Sequence, residues 1–162
     1  MLTGILLTSL ALGVPQQAQQ PADEHAASVD RRGDHAMGFS HDKTAHHFSL
    51  LSDGGSIEVL ANDPKDADSR EEIRHHLGHI VMMFQNNDFD IPMLIHDRIP
   101  PGVPVMKEKR DAISYTYQPT ERGGLVRIKT ADTAALKAIH EFLVFQIRDH
   151  RTGDSEAIRK AS

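Results

Sequence analysis

Cysteine and tryptophan are both absent from this 162-residue chain, and tyrosine occurs only twice. Without cysteine there are no disulfides, no thiolate zinc sites, no cysteine-ligated iron–sulfur clusters, no covalent c-type haem and no lipoprotein anchor. Positive charge is also short, since 18 Lys and Arg against 23 Asp and Glu leave a formal net charge of −5. With no basic cluster to neutralise phosphates, the chain is not a general nucleic-acid binder. It holds no Gly-x-Ser-x-Gly elbow, no phosphate-binding loop and no dinucleotide fingerprint. Long apolar runs are missing too: the longest, Leu2–Val14, is too short to cross a hydrocarbon core of roughly 30 Å. No stable membrane anchor is expected. What is abundant is histidine, eleven in all. Imidazole is the commonest metal ligand and the side chain most easily switched near neutral pH.

The same Leu2–Val14 run, followed by Pro15 and the small residue Ala18, has the form of a signal-peptide apolar region and cleavage zone. No Lys or Arg precedes it. The pattern predicts a signal peptide over 1–18 and a periplasmic or secreted protein. Residues 19–43 are polar and rich in small residues, with Pro21, Gly33 and Gly38, and read as a flexible spacer whose His25, His35 and His41 are solvated. A domain over 44–154 and a C-terminal tail over 155–162 follow.

Within the domain, Thr44–Leu51 alternates, Asp53-Gly54-Gly55 supplies a turn, and Ile57, Val59 and Ala61 recur at period two, a β-hairpin signal. Asp68 or Ser69 then caps a helix running to about Gln85, with Ile73, Leu77, Ile80 and Phe84 on one face. The order repeats: Ile113–Tyr117 alternates, Gly123-Gly124 turns, Val126 and Ile128 form a strand, and Thr130 or Asp132 caps a second helix with Leu136, Ile139, Leu143 and Ile147 on its face. Two ββα units of this kind predict an α+β fold with one antiparallel sheet and both helices on one side. The connector 86–110 is proline-rich, with a short strand expected at Met93–His96 and a helical turn near Val105–Arg110.

Helical geometry, about 100° per residue, groups Glu72, His76, His79 and Met83 along one edge of the first helix's apolar face. His76 and His79, at i and i+3, are spaced to share an ion. Alternation sends His46 to the same side as Phe48 and Leu50 and His47 to the other, while His140 falls on the apolar face of the second helix and His150 returns near it. His46 or His47, His76, His79 and His140 are therefore the candidate metal ligands, for copper, zinc or nickel. Non-covalent b-type haem is the alternative, with His76 or His79 and His140 or Met83 as axial ligands. His75-His76-Leu77-Gly78-His79 lacks the Glu of a metalloprotease motif. His96-Asp97 has the form of an acid–base pair at an element end, and a capping role fits it equally well.

The segments Thr44–Phe48, Ile73–Phe84, Pro92–Asp97, Ala138–Leu143 and Phe145–Asp154 together resemble a family of small exported bacterial proteins of unknown function. Some members carry the name aspartate carbamoyltransferase, but the Ser-Thr-Arg-Thr carbamoyl-phosphate motif of that enzyme is absent here. The resemblance implies a shared fold and export, and no particular activity. Four functions stay open: an exported metal carrier, buffer or sensor, a haem protein, a ligand-free interaction module whose partner is a protein or a second copy, and a hydrolase or lyase using a bound metal to activate water.

Overall fold

A computed structural model describes residues 20–161; the expected signal peptide over 1–18 lies outside them. Alternating residues build two hairpins, β1 (Thr44–Leu51) with β2 (Gly54–Ala61) and β3 (Ile113–Thr120) with β4 (Gly123–Thr130). Each turn is a residue pair, Ser52-Asp53 or Glu121-Arg122, so the paired glycines begin the returning strands rather than forming the turns. The four strands make one antiparallel sheet in the order β1-β2-β4-β3. Helix α2 (Ala67–Gln85) follows the first hairpin and α5 (Thr133–Asp149) the second. Their N-caps are Asp66 and Asp132, whose carboxylates accept from Ser69 N and Ala135 N three residues on, satisfying a backbone donor in each first turn.

The duplication extends to the register. Gly54 pairs with Lys129 across the β2–β4 seam as Gly123 pairs with Leu60, so a local two-fold relates the halves. Each helix packs on both sides of that seam, but α5 lies mainly over β1 and β2 and α2 mainly over β4 and β3, each over the other unit's hairpin. Glycine makes this close approach possible. A Cβ on Gly55 would stand 2.1 Å from Leu143 Cδ1 of α5, and one on Gly124 would stand 3.2 Å from Leu77 Cδ1 of α2. The core between sheet and helices holds Val59, Ile73, Val126, Ile128 and Ile139, with Phe84, Phe89 and Phe142 in mutual ring contact.

Three sequence expectations need correction. The spacer 19–43 contains helix α1 (Gln20–Met37), which packs against α3 (Asp90–His96). Its buried face is Ala26, Val29 and Gly33, residues too small to register as an apolar period yet well suited to close helix contact. Arg32 Nε donates to Ile95 O at 2.6 Å, satisfying a carbonyl in the last turn of α3. The strand expected at Met93–His96 is the second half of α3. Pro92 fits there because the first turn of a helix needs no N–H donor, and Asp97, at φ 51°, ends it in the left-handed region. The tail is pinned as well: Arg159 bridges to Leu51 beside β1. The expected helical turn near residue 105 is α4 (Val103–Glu108). Among the described residues no helix is long and apolar enough to cross a membrane.

Gly55→Ala should lower stability by roughly 1–3 kcal/mol through overpacking against Leu143 and the Ser49 carbonyl. Adding Leu143→Ala should recover part of that clash in a double-mutant cycle, read from urea unfolding followed by circular dichroism. A Gly55→Ala protein as stable as the parent would mean that α5 does not seat on the glycine.

Candidate functional site

Four imidazoles line one apolar cavity of about 60 Å³ between the sheet, α2, α5 and α3. Strand alternation brings His46 there beside Phe48, their ring centres 6.4 Å apart. His76 comes from the buried side of α2 and is 9% exposed. His96 ends α3 and is 2% exposed. His150 caps α5 and turns back over the sheet, its ring centre 5.7 Å from His46 with planes 5° apart and 4.9 Å from His96 at 83°. Phe39, after α1, packs on two of these rings, its centre 5.5 Å from His76 and 6.3 Å from His46.

The four rings differ in how they are held. His96 Nδ1 lies 2.5 Å from Asp149 Oδ2, and its Nε2 lies 3.0 Å from Gln146 Oε1. Asp149 also takes Arg98 Nη2 at 2.8 Å and His25 Nε2 at 3.0 Å. Burial alone would raise the Asp149 carboxyl, but the hydrogen bonds from His25 and His96 outweigh it and hold the group below the usual carboxylate range. Burial lowers His96 despite the opposing pull of Asp149 and Gln146. His46, His76 and His150 make no side-chain hydrogen bond among the described residues, and Gln146 Nε2, in a side chain 4% exposed on the same lining, is also unpartnered. Desolvation, helped by the neighbouring imidazoles, pushes His46 and His76 down to about 4 and His150 to about 3. At neutral pH these three rings are uncharged, with free lone pairs.

The convergence expected of His46, His47, His76, His79 and His140 therefore occurs in part. His46 and His76 reach the cavity. His47 is on the opposite sheet face, its Nδ1 3.1 Å from Asp154 Oδ1. His79 is exposed, because its i+3 position from His76 carries it past the edge of the buried face. His140 is tied to the β1–β2 turn, Nε2 2.9 Å from Leu51 O and 3.0 Å from Gly54 O. Met83 packs at the margin of the core, off the cavity. Among the described residues no three His, Asp or Glu side chains stand, as they are, at distances that hold a metal ion. His25 and His41, expected to be solvated, pair with Asp149 and Asp34. His96 and His150 were missed as members of one site. His96 attracted notice beside Asp97, but its true partner is Asp149, 53 residues away.

The cavity lining includes no Ser, Thr, Lys or carboxylate among the described residues. The uncharged rings on this lining can ligate or hydrogen-bond a small guest. Comparisons with protein-family models, with curated proteins and with solved structures returned no match.

Two outcomes follow from these unpartnered imidazoles, His76 buried and His46 and His150 partly buried. His76→Leu, close in volume, should raise the stability of the protein on the order of 1 kcal/mol, because it removes a desolvated polar ring; a loss measured in urea would show that the ring is bonded. Acid should destabilise. With folded values near 4 and 3 against 6.5 for a free imidazole, the unfolded chain binds more protons as pH falls. Stability is then complete above about pH 6.5 and drops between there and pH 4, each ring contributing at most about 1.4 kcal/mol per pH unit. Urea midpoints at pH 7.5 and 5 measure this, and equal midpoints would refute it.

Proposed function

We propose that the chain is an exported carrier or buffer for a transition-metal ion, bound at the cavity by His46, His150 and His76. The observation that carries this reading is the set of three neutral, unpartnered imidazoles on one apolar lining. Neutral imidazole is the ligating form. Two imidazoles sharing an ion at bonds of about 2 Å have ring centres roughly 5–6 Å apart. His46 and His150, 5.7 Å apart, fall in that range, and their stacked rings turn about the side-chain torsions to bring both nitrogens to one ion. His96, oriented by Asp149, supports His150 from the side.

A cavity of about 60 Å³ favours an ion over a porphyrin, since cofactor sites run to several hundred Å³. Export is supported by the Leu2–Val14 run and Pro15 in the sequence.

Calorimetric titration of residues 19–162 with copper, nickel and zinc ions in turn should find one ion per chain for at least one of them. His46→Leu, His76→Leu and His150→Leu combined should abolish that binding, whereas His35→Ala with His79→Ala should leave it unchanged. A parent that takes up none of the three, or a surface variant that alone loses uptake, would overturn the reading.

A further inference from the structure

We infer that the cavity takes its ion together with a small monovalent anion, which the Gln146 amide holds. This rests on the proposed metal site and names a second ligand for it. The first observation is an orphan donor. Gln146 lies on the cavity lining, and its side chain is 4% exposed. Its Oε1 is engaged, 3.0 Å from His96 Nε2, yet its Nε2 is buried without a hydrogen-bond partner among the described residues. A buried N–H left unpaired is costly, so it marks a place where an acceptor belongs. The imidazoles on the lining are acceptors too, but in the filled site their lone pairs belong to the ion.

The second observation is charge. Three neutral imidazoles leave a divalent ion with both of its charges, and the described lining holds no carboxylate to offset them. The absence of cysteine excludes thiolate. Asp149 stands behind His96, and its two oxygens are already taken by His96, by Arg98 at 2.8 Å and by His25 at 3.0 Å. An ion held this way draws a counter-ion. His46 and His150 are only half-buried, so a small anion can reach it from solvent. A set of three histidines also leaves one position on a tetrahedral ion for a ligand that is not protein. An anion there is the acceptor that Gln146 Nε2 lacks, and an N–H bonded to an anion makes the stronger, charge-assisted kind of hydrogen bond. One ligand thus answers the orphan donor and the missing charge together. The cavity, about 60 Å³, restricts it to a few atoms, as in chloride, hydroxide or azide.

The test titrates the 19–162 protein with whichever of copper(II), nickel(II) and zinc(II) it binds. Calorimetry is run in perchlorate, which coordinates poorly, and again with azide added, allowing for the azide complex of the free ion. Azide should tighten ion binding by 10-fold or more in the parent and by less than 2-fold in Gln146→Leu. Gln146→Glu, of the same shape, places the missing charge on the side chain itself. In perchlorate it should bind the ion at least 10-fold more tightly than the parent does, and azide should add nothing. Circular dichroism checks that each variant folds, and the Leu variant alone decides the matter if the Glu variant does not. Ion binding that azide leaves unchanged in the parent would overturn the anion and leave the metal site standing. An azide effect that survives in Gln146→Leu would place the anion elsewhere and overturn this inference alone. A parent that binds none of the three ions would overturn the metal site and this inference with it.

Discussion

The β2–β4 seam holds the two halves together, and the cavity depends on its register. Gly54 against Lys129 and Gly123 against Leu60 fix the halves in a two-fold relation. The same register sets Gly55 beneath Leu143 and Gly124 beneath Leu77, so each helix sinks onto the other unit's hairpin. A one-residue slip would turn His46, Phe48 and Ile57 to the opposite face and remove one wall of the cavity. The seam is thus both the main cross-connection of the core and the device that delivers β1's imidazole to α5's.

Symmetry stops at the chemistry. Leu77 and Leu143 occupy matching places, yet His76 beside the first enters the cavity, while the second half contributes through its C-terminal cap, His150, and through Gln146. The connector and the N-terminal segment, which have no counterpart in the repeat, supply His96 and Met37, with Phe39 packed against His46 and His76. The two similar units thus line the pocket with unequal contributions, and the parts outside the repeat close it.

Most of the fold was legible because the hairpins and the two long helices declare themselves through periodicity: Ile57, Val59 and Ala61 at two, Ile73, Leu77, Ile80 and Phe84 at the helical period. α1 was not, since Ala26, Val29 and Gly33 bury little area apiece and its stability comes from docking on α3. α3 was not, because Met93-Leu94-Ile95 is apolar, short and preceded by proline, which periodicity alone cannot assign. Of the site, His46 followed from alternation and His76 from the helical face. His79 failed because an edge position on a helix is decided by what packs over it, and among the described residues it is exposed. His96 and His150 required knowing how the connector folds back on α5, a long-range fact that no local window contains.

The last residues of the chain complete the sheet rather than trail from it. Along the outer edge of β1, Phe48 N donates to the Asp154 carboxylate at 2.9 Å, Arg159 N donates to Leu50 O at 2.9 Å, and Ser52 N donates to Arg159 O at 2.8 Å. These successive outward backbone groups are the ones an incoming strand from another molecule would use. On the far side, β3 carries Pro119, which has no N–H to offer. Trimming the chain after Gly153 would bare the β1 edge along a stretch containing Phe48, Leu50 and Leu51, a template for edge-to-edge aggregation. The C-terminal segment is in this sense the molecule's guard against its own polymerisation.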